Sequence, residues 1–281
     1  MTRIVVADHA GACYGVERAI TLVRDAAREQ QPLATLGPLI HNPLVVHDLE
    51  EQGVRVVGEP EELEQGTLVL RTHGVVPAVI DRARAKGLSV IDATCPYVKK
   101  VHHAAHRLVE AGYQLLVVGE SGHPEVEGIL GHAQGPATVV SSVEEVQALE
   151  LAPKVGIVVQ TTQTAALLSA IVAEIAPRVN ELRVMNTICA ATAERQQAAA
   201  TLAQSVPCMI VIGGKNSGNT RRLVELCRSC CPNTHHIEAP DEIEPAWLAG
   251  ADVIGVTAGA STPASHITAT RDHLERMLAA L

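Results

Sequence analysis

Phenylalanine is absent from this chain, and aromatic residues make up only 1% of it, with one Trp and three Tyr. The core must therefore be aliphatic, built from Val, Ile, Leu and Ala, which suits buried parallel strands covered by Ala-rich helices. A positive charge balance is also missing. Lys and Arg total 22 against 31 for Asp and Glu, and the net charge of −9 argues against a broad nucleic-acid surface. No apolar run approaches the ~20 residues needed to span a bilayer, so no membrane partner is expected. The first apolar stretch, Ile4–Ala7, reads as a strand because it is too short for a signal peptide. There is no low-complexity linker and no block of like charge. The expected location is the cytoplasm.

What the sequence does hold is material for a large core: 281 residues, 47% hydrophobic and 19% charged, enough for two domains or three small ones. Short apolar runs at Val54–Val57, Leu68–Leu70, Val90–Ile91, Leu115–Val118, Gly156–Val159, Met209–Ile212 and Val253–Val256 read as further strands. They alternate with helical patterns such as Val16–Glu29, Val98–Ala111, Ala165–Ala176, Thr192–Gln204 and Ala264–Leu281. Such alternation predicts parallel sheets made of βαβ units.

An internal repeat sets the boundaries. LLVVGESGHPEVEG from Leu115 aligns with MIVIGGKNSGNTRR from Met209, and VIDATC ending at Cys95 aligns with RVMNTIC ending at Cys189, both at an offset of 94. A third copy begins at Cys13. In each copy a polar loop residue lies 28 positions after the Cys: His41 after Cys13, His123 after Cys95, Ser217 after Cys189. Each copy also has a later strand ending in a polar loop, at Arg71-Thr72-His73-Gly74, Gln160-Thr161-Thr162 and Thr257–Ser261. The pattern predicts a pseudo-threefold α/β molecule whose strand-end loops point at a common centre, where ligands of open α/β sheets collect. The alternative is three similar units whose Cys residues merely occupy turns.

Seven Cys in a cytoplasmic chain point to metal or redox chemistry before disulfides. Cys13, Cys95 and Cys189 stand alone, without the close pairs typical of zinc sites, which favours an iron–sulfur cluster while leaving zinc open. Cys208 reads as core. Cys227, Cys230 and Cys231 lie in CRSCC near a helix end, where one isolated CxxC is a weak zinc signal and ordinary packing is the simpler reading. His102 and His106, four apart on one helix, lack the Glu of a metalloprotease box and read as a solvated face. Lys215–Thr220 and Gly259–Pro263 join strands to helix starts, where backbone N–H groups and the helix dipole can meet an anion. As simple helix caps, Ser217 and Ser261 would be ordinary.

These segments carry a resemblance. ACYGVERAI, LGPLIHNPLVV, RTHGV, IDATCPYVKKVH, GHPEVEG, VVQTT, NTICAATAERQ, GGKNSGNT and TAGASTP, in order along essentially the whole chain, resemble the 4-hydroxy-3-methylbut-2-enyl diphosphate reductases of the methylerythritol phosphate route to isoprenoids. The resemblance implies three αβα units, residues 13–95, 96–189 and 190–281 with strand 1–12 packed on the third, in a trefoil around a 4Fe–4S cluster. It implies Cys13, Cys95 and Cys189 as cluster ligands, with one iron open to the substrate's allylic hydroxyl. It further implies His41, His73, His123, Ser217, Asn219 and Ser261 as substrate-binding residues, chiefly for the diphosphate, with Glu125 as proton source and Thr161 beside the hydroxyl. The implied reaction takes two electrons and two protons, releases water and yields isopentenyl and dimethylallyl diphosphates. The electrons would come from an external donor such as ferredoxin or flavodoxin. Gly218 stands where many members have a second Ser, Ala190 and Ala193 replace more polar residues, and Ala12 replaces a common aromatic. Two rival readings are a zinc hydrolase of a phosphorylated substrate and a non-catalytic cluster-bearing sensor. Glu125 and Thr161 argue against the sensor, which needs no proton relay.

Overall fold

Short aliphatic runs bounded by Gly, Pro or Asn favour extended chain, because branching at Cβ restricts the side chain on a helix and packs well on a pleat. The computed structural model describes residues 2–29 and 32–280. Its strands and helices run β1 (Arg3–Val6), α1 (Tyr14–Glu29), β2 (Leu33–Leu36), α2 (Pro43–Glu51), β3 (Val54–Val57), β4 (Thr67–Leu70), α3 (Pro77–Ala85), β5 (Ser89–Asp92) and α4 (Pro96–Glu110). They continue with β6 (Gln114–Val118), α5 (Pro124–Ala133), β7 (Ala137–Val140), α6 (Val143–Gln147), β8 (Lys154–Val159), α7 (Ala165–Ile175), β9 (Glu181–Val184) and α8 (Ala190–Ala203). The last are β10 (Cys208–Ile212), α9 (Gly218–Cys230), β11 (Thr234–Ile237), β12 (Val253–Ala258) and α10 (Ala264–Ala280). Among the described residues no helix is long and apolar enough to cross a membrane.

The expected α/β class with parallel sheets is what forms. Three four-stranded sheets have the orders β3-β2-β4-β5, β7-β6-β8-β9 and β11-β10-β12-β1, and every pairing is parallel. The three orders are one wiring used three times. In the third sheet the outer strand comes from the N-terminus, with Arg3 opposite Val253 and Val6 opposite Val256. The constant spacing of 28 now has a physical origin. From each candidate Cys the chain runs through one helix (α1, α4 or α8) and one strand (β2, β6 or β10) before reaching the next polar loop. By their contacts the residues fall into two compact units, one of 1–17, 41–45 and 190–281 holding the third sheet, the other of 18–40 and 46–189 holding the first two.

The second and third sheets are covered on both faces, which is why their central strands read as continuous aliphatic runs. In β10, Cys208, Ile210 and Ile212 pack with Ile254, Val256 and Leu274, while Met209 and Val211 pack the other way against Ala199, Leu223 and Cys227. In the second sheet Leu115, Val117 and Val158 meet Val101, Leu108 and Ile129, and Leu116, Val118, Ile157 and Val159 meet Leu168, Ile171 and Ile175. Full burial of each such side chain is worth about 1.5–3 kcal/mol. Helices α2, α3, α4 and α5 each begin with Pro, whose fixed φ suits the first turn and whose missing N–H is no loss there.

One expectation is corrected. His102 does not face solvent. It is 5% exposed on the side of α4 that packs against α5, and its ring stacks on His132 at 4.1 Å between centroids. Two glycines make the room: a Cβ at Gly128 would lie 3.2 Å from His102 Nε2, and one at Gly74 2.8 Å from His102 Cε1. Burial, then the neighbouring His132 and His103, push the His102 pKa down to about 3 from 6.5. His106 is half-buried, with Nδ1 3.4 Å from the Ala133 carbonyl. The unfolded chain therefore binds a proton at His102 that the folded chain refuses between those two values. Stability is expected to fall as pH drops below about 6.5, by at most about 1.4 kcal/mol per pH unit from this residue. Unfolding free energies from urea titrations between pH 7 and pH 4 should fall more steeply in the parent chain than in His102→Gln.

Candidate functional site

The candidate residues lie beyond the carboxyl ends of the strands, in strand-end loops and at helix N-termini. In the larger unit, Cys95 follows β5 and caps α4: its N–H donates to the Thr72 carbonyl at 3.0 Å, and its carbonyl accepts the Lys99 N–H at 3.0 Å. That first bond sets Cys95 against the loop that carries His73. Thr72 is itself fixed, since both its N–H and its hydroxyl donate to the Leu39 carbonyl, at 3.2 and 3.0 Å. His123 caps α5, and its Nδ1 accepts the Glu125 N–H at 3.1 Å. That bond leaves Nε2 as the proton-bearing nitrogen of the neutral ring. The rings of His73 and His123 meet edge to face with centroids 5.5 Å apart.

Glu125 sits in the first turn of α5 and is 2% exposed. Thr161, just past β8, holds both carboxyl oxygens: its N–H donates to Oε1 at 2.6 Å and its hydroxyl to Oε2 at 2.9 Å. The Thr161 carbonyl in turn accepts the Cys189 N–H at 3.0 Å. One residue thus joins the acid to the cysteine. A buried carboxyl needs such donors, because burial without them costs several kcal/mol.

In the smaller unit, Cys13 follows β1. Its N–H donates to the Ala260 carbonyl at 3.1 Å, and its carbonyl accepts the Val16 and Glu17 N–H groups, both at 3.0 Å. Ser261 donates from Oγ to the His41 carbonyl at 3.1 Å, and Asn42 donates from Nδ2 to the Ser261 carbonyl at 2.8 Å. Gly214 allows this approach, since a Cβ there would lie 2.5 Å from the His41 carbonyl oxygen. Ser217 caps α9 and accepts the Thr220 N–H at 3.3 Å, so the capping role is real. Capping does not explain Asn219. It is 5% exposed, yet neither Nδ2 nor Oδ1 has a hydrogen-bond partner among the described residues. A buried amide left in this state at a helix N-terminus is suited to an anionic ligand. Lys215 is turned elsewhere: its N–H donates to Glu238 and its Nζ to Glu242, which raises its pKa.

Replacing Asn219 with Ala is expected to leave the melting temperature unchanged, because the fold loses no bond. A hydrogen bond to a charged ligand is worth about 1.5–3 kcal/mol, so the Michaelis constant for a diphosphate substrate should rise about ten- to a hundredfold. A drop in melting temperature with an unchanged Michaelis constant would show a packing role instead.

The three candidate Cys share one backbone bond. Cys13, Cys95 and Cys189 each donate the N–H to the loop that follows the neighbouring strand, at Ala260, Thr72 and Thr161. All three are half-buried. Cys208, Cys227 and Cys231 are buried, and burial pushes Cys208 up to about 11 and Cys227 up to about 12, which keeps both as thiols. Packing is therefore the right reading for them. Half-buried Cys230 packs against the same apolar cluster. Two residues of these loops and helices give no sign of their role in the sequence. Asn42 shows there only as part of an Asn-Pro turn, and Arg195, 3% exposed, reads along a helix as an ordinary surface cation.

The geometry can be set beside known proteins. The LytB protein family model matches residues 4–275. The chain is 48% identical over 275 residues to the 4-hydroxy-3-methylbut-2-enyl diphosphate reductase of Trichlorobacter lovleyi, covering 98% of each. It is 47% identical over 268 residues to that of Aquifex aeolicus, covering 94% of this chain and 92% of the relative. A solved (E)-4-hydroxy-3-methyl-but-2-enyl diphosphate reductase, described as the terminal enzyme of the non-mevalonate pathway, is 45% identical with a TM-score of 0.73, covering 98% of this chain and 100% of that one. The E-1-hydroxy-2-methyl-but-2-enyl-4-diphosphate reductase of Plasmodium falciparum superposes with a TM-score of 0.91 at 26% identity, covering 98% and 87%. Matched in this way over nearly its whole length, the chain belongs to the LytB protein family.

Proposed function

We propose that this chain catalyses the reductive dehydroxylation of (E)-4-hydroxy-3-methylbut-2-enyl diphosphate to isopentenyl and dimethylallyl diphosphates, a step in making isoprenoid precursors. The observation that carries the reading is the Glu125–Thr161–Cys189 chain. A buried acid is held by a residue whose carbonyl fixes a cysteine backbone, so a proton donor and a candidate metal ligand share one support.

Cys13, Cys95 and Cys189 would hold a 4Fe–4S cluster. Their chemistry fits: Cys thiolates are the usual ligands of such clusters, these three are half-buried on equivalent loops, and burial keeps Cys208 and Cys227 as thiols. When bound, the cluster supplies the electrons, received from an external carrier such as ferredoxin or flavodoxin in the cytoplasm. The residues of the chain do the rest. Ser217, Asn219 and Ser261, with His41, His73 and His123, bind the substrate, chiefly its diphosphate, and the N-terminus of α9 adds its partial positive charge. Glu125 holds the proton that leaves with the hydroxyl as water. The Thr161 hydroxyl, bonded to Oε2, keeps that oxygen in place; when Oε2 carries the proton, the hydroxyl turns to accept it and passes its own proton on. Two electrons and two protons enter, and one water leaves. Anaerobic turnover of the diphosphate with a reduced dye, run beside iron and sulfide analysis, tests the reading. A colourless zinc protein without turnover would overturn it.

A further inference from the structure

Helix α8 buries a stripe of Thr192, Arg195, Ala199 and Ala203. Three of these are what the packed side of a helix takes, and Arg195 is not. A guanidinium in that place costs desolvation that a Leu or Met would avoid, so packing alone does not account for it.

Its bonds suggest what it does. Arg195 Nη1 donates to the Ala191 carbonyl at 2.9 Å and Nη2 donates to the Gly11 carbonyl at 2.7 Å. Ala191 lies two residues after Cys189, and Gly11 lies two residues before Cys13. Gly11 is a strained point, with φ at +100° and a Cβ position only 2.8 Å from Ile267 Cδ1, so no other residue makes this turn without rearrangement. The Gly11 N–H is held by the Ala258 carbonyl at 3.2 Å and the Cys13 N–H by Ala260 at 3.1 Å. The Gly11 carbonyl is held by Arg195. The two carbonyls are bonded by separate nitrogens of one rigid planar fork, a spacing that the single nitrogen of an ammonium does not reproduce.

We propose that Arg195 is a positioning residue: its guanidinium ties the turn leading into Cys13 to the first turn of the helix that follows Cys189, and it places a permanent positive charge beside both cysteine-bearing segments. The charge half of this inference rests on the cluster reading above. Reduction adds negative charge to a cluster, so a buried cation nearby favours the reduced form and raises the midpoint potential.

The experiment compares Arg195→Gln and Arg195→Lys with the parent chain in two arms. The first arm needs no cluster. In hydrogen exchange of the metal-free full chain, both variants should speed the amides of residues 11–13 by about ten- to a hundredfold, the weight of one charge-assisted bond, with β6 and β8 unchanged as internal controls. The second arm is a redox titration of the reconstituted protein followed by electron paramagnetic resonance. Arg195→Gln should lower the midpoint, while Arg195→Lys, which keeps the charge, should stay near the parent value. Parent-like exchange at residues 11–13 would overturn the tie. So would faster exchange throughout β6 and β8, which would mark Arg195 as a support of the whole fold. An unmoved midpoint in Arg195→Gln would overturn the charge role. A parent chain that takes up no cluster would remove the function proposed above, yet the exchange arm would still decide the tie.

Discussion

Replacing Cys13, Cys95 or Cys189 with Ser, one at a time, is expected to bleach the visible iron–sulfur absorption of the reconstituted protein and to abolish turnover. A thiolate binds iron through a soft, easily ionised sulfur, whereas a Ser hydroxyl stays protonated at neutral pH and holds iron poorly. The fold should survive each change, because all three residues are half-buried and their described backbone bonds run through main-chain atoms that Ser keeps. Circular dichroism and melting should therefore match the parent while colour and activity are lost. Cys208→Ala and Cys227→Ala should do the reverse. Their sulfurs are buried in the apolar packing around β10 and hold their protons, so the cluster should stay while some stability goes. Cys230→Ser should change little. If Cys230→Ser bleached the protein and Cys13→Ser did not, the assignment of ligands would be wrong.

Much of this arrangement is legible in the residues alone. The repeat is visible because a helix and a strand of fixed length separate each Cys from its loop, and because central strands buried on both faces leave unbroken aliphatic runs at β6, β8, β10 and β12. Four strands leave no such mark. β7, β9 and β11 are sheet edges whose short segments, ATVV, ELRV and THHI, mix polar and apolar residues because part of each faces solvent. β2 is fully buried, but its LATL holds too little branched side chain to stand out. Side-chain burial is least legible where backbone makes the room. His102 goes inside because Gly74 and Gly128 lack side chains, and one-dimensional periodicity does not reveal which glycine will face which helix. Arg195 is hidden for a related reason, since its acceptors are carbonyls at Gly11 and Ala191, and any sequence has a carbonyl at every position.

Glu125→Gln is expected to keep the cluster spectrum and near-normal substrate binding while turnover falls on the order of 10²–10⁴, the usual contribution of a positioned general acid. The reason lies in the bonds of this carboxyl. Thr161 reaches it twice, through its N–H to Oε1 and its hydroxyl to Oε2. An amide of the same shape keeps both contacts: its oxygen accepts the N–H, and its NH₂ donates to a Thr161 hydroxyl that turns to accept. Thr161 therefore need not move, and the Cys189 N–H on its carbonyl should stay where it is. What is lost is a proton that can leave, because a neutral amide does not release one at neutral pH. The change thus separates the chemical role of the acid from its structural role, which Glu125→Ala would not do, since that variant also opens a hole at a residue 2% exposed. Steady-state rates with a reduced dye, read beside the absorption spectrum and the Michaelis constant, measure the split. Parent-like turnover in the Gln variant would remove the proton-donor role. A bleached spectrum would show instead that Glu125 acts by holding Thr161, and through it the loop of Cys189.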